Sequence, residues 1–171
     1  MPPELHFDPS QLDLSRVVAG RGDIERVNPQ RFEMEQLSAI VHMDTSQNLI
    51  AGYKEVTADE FWVRGHMPDY PLMPGVLMCE AAAQLCSYYV VANGLMQGDF
   101  LGFGGMENVR FRGPVRPGDR LLLIAKGTKM HRRQCIFNVQ GFVGSTMVFH
   151  ADIIGVPLVR KADAAAVAEE S

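Results

Sequence analysis

The sequence predicts an α+β domain, one long apolar helix covered by an antiparallel sheet. Three observations predict it. Residues 76–92 are helix formers with one charged side chain among them, Glu80. Four runs after that stretch, at 106–111, 120–127, 133–143 and 146–157, are rich in Val, Ile and Phe and are joined by short turns. Two similar runs precede it, at 37–43 and 49–56, separated by the turn Asp44-Thr-Ser-Gln-Asn48.

The helix has its own punctuation. Pro74 suits a helix start, and Asn93-Gly94 is a good stop. A helix apolar all round is buried in a protein or in a membrane. This one is short for a span and carries a carboxylate, so it reads as the core helix. The chain has 171 residues and is 47% hydrophobic, enough for one domain with a real core. Its net charge of −4 does not favour nucleic acid as a partner. The start, Met1-Pro-Pro-Glu, is polar and unlike a signal segment. The three cysteines, Cys79, Cys86 and Cys135, have neither metal nor redox spacing. No metal site and no membrane contact are expected, and a cytoplasmic setting fits.

In order, residues 1–28 form an N-terminal extension. Its Pro9-Ser-Gln-Leu segment could open a short helix docked on the outside. The single domain runs over 29–160. Asp59-Glu-Phe-Trp-Val is a helical turn leading into a proline-braced loop at 64–74. After the helix, 94–105 is a Gly-rich connection holding Phe100 and Phe103, read as a mobile lid whose two rings gate a tunnel. Pro117-Gly118-Asp119 is a turn. The tail, 161–171, is Ala- and Glu-rich and expected to be disordered.

A lone acid on a buried helix is costly and needs a reason. One reason is an ion pair with an Arg or Lys elsewhere. The other is a carboxyl kept protonated by burial, ready to give its proton. His66 stands just upstream in the braced loop. Together His66 and Glu80 put a base and an acid on either side of a helix start. The N–H groups there, at Gly75 and Val76, have no partner within the helix and favour a developing oxyanion. Gln84 lies one turn beyond Glu80 and could orient its carboxyl, or it could be an ordinary polar interface residue.

The stretch Gly65-His66-x-Pro68-x-x-Pro71-x-Met73-Pro74-Gly75-Val76-Leu77-x-x-Glu80-Ala-x-Ala-Gln84 resembles the signature of the FabZ-type 3-hydroxyacyl-[acyl-carrier-protein] dehydratases. Asn108-Val-Arg-Phe-Arg-Gly-Pro-Val-Arg-Pro-Gly-Asp-Arg120 and Lys54-Glu-Val-Thr-x-x-Glu-Phe are similar to two further segments of that family. The likeness covers roughly residues 29–157. It departs at Met67, where the family has Phe, and at Glu33-Met-Glu-Gln-Leu-Ser38, where the family has an apolar run ending in Asp-Arg. The isomerising FabA-type relatives have Asp at the position of Glu80, which favours plain dehydration here.

The resemblance implies a hotdog fold, a long central helix wrapped by a curved antiparallel sheet. It implies His66 as base, Glu80 as acid, and no cofactor. It further implies a homodimer, or a trimer of dimers, in which Glu80 completes the partner's site. An acyl-thioesterase, an acyl-CoA hydratase and a non-catalytic acyl-binding module are the alternatives. The expected partner is an acyl carrier protein, and the chain offers a basic run for it. Residues 110–133 hold Arg110, Arg112, Arg116, Arg120, Lys126, Lys129, Arg132 and Arg133 against one acid, Asp119. These are read as one basic platform at the tunnel mouth. The plain alternative is strand-edge charge that keeps the sheet from pairing with others.

Overall fold

The computed structural model describes residues 3–160. The tail expected to be disordered lies outside the described residues. Among the described residues, seven strands form one antiparallel sheet, in the order β1-β2-β3-β5-β6-β7-β4. They are β1 (Ala19–Gly20), β2 (Ala39–Asp44), β3 (Leu49–Glu55), β4 (Phe100–Phe111), β5 (Arg120–His131), β6 (Gln134–Val143) and β7 (Thr146–Leu158). Two α-helices accompany them, α1 (Arg21–Val27) and α2 (Gly75–Ala92). This is the α+β hotdog arrangement, with α2 in the grip of the sheet.

The core forms where α2 meets the inner sheet face. Ala81, Ala82, Leu85 and Tyr89 of α2 pack with Ile50, Leu121, Leu123, Phe137 and Phe149, all almost fully buried. Each large side chain so buried contributes about 1.5–3 kcal/mol. By length and composition α2 could cross a membrane, but 67% of it is buried inside this fold. It stops where expected: Gly94 takes a positive φ of 62°, and its N–H reaches Val91 O at 3.1 Å. Cys79, Cys86 and Cys135 are buried free thiols. Burial pushes the thiols of Cys79 and Cys135 up to about 11, which keeps them unreactive.

The extension does dock on the outside. After a 3₁₀ turn at Pro9–Gln11, Leu12 and Leu14 join Phe7 on a second apolar cluster formed by Val41, Leu49, Leu122, Ile124 and Phe142 on the outer sheet face. His6 fastens it, with Nε2 2.7 Å from Asn138 Oδ1. Short β1 and α1 follow, which the sequence reading did not separate from the extension.

One expectation is overturned. The lid ending at Gly105 does not exist as a loop, because β4 already begins at Phe100. Phe100 pairs with Leu158 and Phe103 with Gly155 along β7. The glycines serve close packing. A Cβ on Gly102 would lie 2.4 Å from Leu158 Cδ1, and one on Gly104 would lie 2.9 Å from Val156 Cγ1. Only 93–99 remains as a connection.

Candidate active site

The loop that carries His66 is anchored before it begins. Lys54 and Glu60 form an ion pair of 2.8 Å, both nearly buried, which ties the 57–62 turn to β3. Trp62 is buried there, and its carbonyl accepts N–H bonds from Gly65 at 3.1 Å and His66 at 2.8 Å. That is the short helical turn the sequence implied. The loop then closes on itself and on the sheet end. Leu72 N donates to His66 O at 2.8 Å, and Met73 N to Val115 O at 2.8 Å.

The imidazole is exposed, with Nδ1 2.7 Å from Leu72 O. A carbonyl can only accept, so Nδ1 carries the hydrogen. In the neutral ring Nε2 is then left with a lone pair, the tautomer a general base requires. His66 lines an open groove of about 520 Å³ with Leu72, Pro74, Gly75, Val76 and Phe111. At its floor α2 starts. Leu77 and Met78 N–H groups both turn to Pro74 O, at 2.9 and 3.3 Å. Those of Gly75 and Val76 have no acceptor among the described residues and stay available to an oxyanion. A Cβ on Gly75 would sit 2.6 Å from Phe111 Cζ, so a larger residue there displaces that ring.

Glu80 lies elsewhere. It lines a small cavity of about 40 Å³ with Gln30, Ala83, Ser87, Phe103 and Gly155. Gln84 holds it: Nε2 donates to Glu80 Oε1 at 2.7 Å and to Met34 O at 2.6 Å. Its Oε1 accepts Gln36 N at 2.9 Å. Gln84 is 2% exposed and fully used, so it both orients the carboxyl and stitches 28–36 to α2. Glu80 has no Arg or Lys partner among the described residues, so the ion-pair account of it fails. Within one chain it is only half-buried.

The two concavities open on one uncovered strip. Val76, Glu80 and Ala83 form the stripe of α2 that the sheet leaves exposed or half-exposed. Beside it on β4, Phe103, Met106 and Phe111 are 46%, 45% and 51% exposed. Of the two proposed gate residues, Phe103 reaches the Glu80 cavity; Phe100 instead lies 6.0 Å beneath the Arg160 guanidinium.

The basic run is not one platform. Arg110 and Arg112 sit at the end of β4, and Arg116 follows in the loop beside the His66 groove, its guanidinium 4.6 Å over the Tyr70 ring and bonded to the Tyr70 hydroxyl. Arg132 and Arg133 occupy the far β5–β6 turn, roughly 36 Å away along β5. A sequence-local charge count cannot see that a 12-residue strand separates its two ends. Arg112 Nε donates to His150 Nδ1 at 3.1 Å. Burial, with Arg112 and Arg110 nearby, holds His150 below the usual imidazole range, so it stays a neutral acceptor. Arg120 is spent on Glu55 and on the Tyr53 ring.

Sequence reasoning missed Ser87, Gln30 and Tyr70. Ser87 carried a signal, a hydroxyl seven residues after Glu80 on the same helix face.

A long apolar helix in a curved sheet, with a His loop at its start and a Glu one turn in, defines a dehydratase-like hotdog protein. The FabA-like domain family matches residues 28–152, and the chain belongs to that family. Among curated proteins it is similar to the 3-hydroxyacyl-[acyl-carrier-protein] dehydratase FabZ of Clostridioides difficile, 30% identical over 77% of this chain and 92% of that one. The FabZ of Exiguobacterium sibiricum is 39% identical over 63% of this chain and 76% of its own. In fold the chain resembles a component of the dehydratase heterocomplex ApeI:P from Xenorhabdus doucetiae, with a TM-score of 0.65, 13% identity, and 86% and 97% of the two chains covered. It also resembles Cj0977, a sigma28-regulated virulence protein from Campylobacter jejuni, with a TM-score of 0.60, 20% identity, and 82% and 93% covered.

Proposed function

We propose that this protein removes water from 3-hydroxyacyl groups on acyl carrier protein, giving trans-2-enoyl thioesters in cytoplasmic fatty-acid synthesis. The observation that carries this is a tautomer-fixed His66 beside free N–H groups at the start of α2, with a Gln84-held Glu80 on the same uncovered strip of the chain. The FabZ relatives support the choice of substrate.

His66 Nε2 takes the proton from C2. Gly75 and Val76 N–H groups hold the thioester oxygen as negative charge gathers on it. Glu80, protonated, gives its proton to the C3 hydroxyl as the C3–O bond breaks and the C2=C3 bond forms. Proton transfers alone balance the reaction. Because His66 and Glu80 line separate concavities, the working site is formed by two chains, His66 of one and Glu80 of its partner. The exposed Val76, Phe103, Met106 and Phe111 supply the apolar surface such a dimer would cover. That cover would also bury Glu80. Arg110, Arg112 and Arg116 flank the groove mouth, where an acidic carrier would dock.

The test is direct. Purified protein is given 3-hydroxybutyryl carrier protein, and enoyl-thioester absorbance and free thiol are followed together. Enoyl formation without thiol release is expected. Thiol release without enoyl product would replace this reading with a thioesterase.

A further inference from the structure

The cavity behind Glu80 has a property the reaction above does not use. It is small, about 40 Å³, with Ala83, Leu101, Phe103 and Ile153 in its walls. Yet two shielded polar atoms in its lining residues, Ser87 Oγ and Gln30 Oε1, have no hydrogen-bond partner among the described residues. Ser87 is 4% exposed. Buried hydroxyl and amide oxygens nearly always find a partner, so a pair of them in one cavity calls for an occupant. Ser87 lies two helical turns beyond Glu80, about 10 Å along the axis, on the same face.

Size and polarity select the occupant. A water fills roughly 30 Å³ and needs two to four polar partners. The residues that line this cavity carry one unpartnered hydroxyl, one unpartnered amide oxygen and the Glu80 carboxyl. An alkyl chain could not satisfy either oxygen. A second ionised group would meet no cation there.

We propose that this cavity is the product-water site: it receives the water made at Glu80 and, in the reverse direction, presents it for addition. The inference rests on the dehydration reading above. In the forward direction the C3 oxygen leaves with its own hydrogen and the Glu80 proton, and it leaves as neutral water. The C2 proton stays on His66 until solvent takes it, and Glu80 is reprotonated from solvent. The water moves inward, accepting from Ser87 Oγ–H and donating to Gln30 Oε1. Its departure from C3 keeps it from adding back before the enoyl product goes. Ser87 and Gln30 are positioning residues for that water and touch neither C2 nor the thioester.

The test uses an isosteric pair in the full-length protein. Ser87→Thr keeps the hydroxyl, and Ser87→Val has the same shape without it. The readouts are kcat and KM for dehydration of a 3-hydroxyacyl pantetheine and for hydration of the enoyl counterpart. The Val variant is expected to lose about tenfold in kcat in both directions with acyl KM unchanged, and the Thr variant to recover most of it. Equal activity of Thr and Val variants overturns the proposal, since packing alone would then account for Ser87. A high-resolution crystal structure supplies a measurement independent of turnover. A water bonded to Ser87 Oγ and Gln30 Oε1 in the parent, and gone in Ser87→Val, supports the site; its absence from the parent overturns it. If the parent dehydrates no 3-hydroxyacyl thioester at all, the proposed function has failed, and the kinetic comparison fails with it.

Discussion

The two halves of the site are built by opposite means. The His66 half is a loop whose geometry is set almost wholly by backbone: Trp62, Leu72 and Val115 carbonyls fix its course, and one of them fixes the imidazole tautomer. The Glu80 half is a helix position set by a side chain, Gln84, which is itself pinned by Met34 and Gln36. The first half is exposed and open; the second is recessed and narrow. A base that must meet an incoming thioester tolerates exposure. Glu80 is only half-buried within one chain. In the proposed two-chain site each half would keep its own setting.

The largest expected effect breaks the two halves separately. His66→Ala and Glu80→Gln should each lower kcat by roughly 10²–10⁴-fold with the fold retained by circular dichroism. If the halves belong to different chains, mixing the two inactive proteins under exchange conditions should restore activity. Random reassortment makes half the dimers mixed, each with one intact site, so about a quarter of parental activity is the ceiling. Full activity in either single variant would remove that residue from the chemistry. No recovery in a mixture shown to exchange subunits would place both groups in one chain.

Next come the supports, one for each half. On the His66 side, Gly75→Ala drives a Cβ into the Phe111 ring. Displacing that ring and the helix start should cost about 10²-fold in kcat, the scale of a lost oxyanion donor. On the Glu80 side, Gln84→Leu removes three hydrogen bonds and leaves Gln36 N without its acceptor. That should cost about 2–4 kcal/mol of stability, read by denaturant unfolding, and roughly tenfold in kcat. The contrast is the point. The Gly75 variant should lose mainly activity, and the Gln84 variant should lose mainly stability. A Gln84→Leu protein as stable as its parent would show that residues 28–36 do not depend on α2.

The helix, its two ends and the four later strands were legible in the sequence, because each rests on local chemistry; His66 and Glu80 stand out there as candidates. Pro74 and Asn93-Gly94 mark the ends of α2 by backbone preference alone. Three things were not legible. The glycines of 102–105 read as freedom to swing, whereas they admit Leu158 and Val156 across a ladder. That meaning depends on which strand lies opposite. The partners of Gln84 lie 48 and 50 residues away, so no spacing rule could have found them. The basic run failed for the same reason, since nearness along the chain was taken for nearness in space.

The smallest predicted effect turns that error into a measurement. Two variants compare the ends of β5: one reverses Arg110, Arg112 and Arg116 to Glu, the other reverses Arg132 and Arg133. Exposed charges act mainly by guiding encounter, and each is worth about 1 kcal/mol or less. The groove-side variant should therefore raise KM for carrier-linked substrate by roughly tenfold at low salt, with kcat nearly unchanged. A short pantetheine substrate carries no acidic carrier and should show little change. Added salt should bring the variant and its parent together, since the Debye length falls to about 3 Å at 1 M. The hairpin variant should stay close to the parent on both substrates, because its charges lie at the far end of the strand from the groove. A dimer could still carry that hairpin to the partner's groove. A KM rise confined to the hairpin variant would therefore move the carrier's footing to Arg132 and Arg133. Equal losses on carrier and pantetheine substrates in both variants would mean that neither cluster guides the carrier.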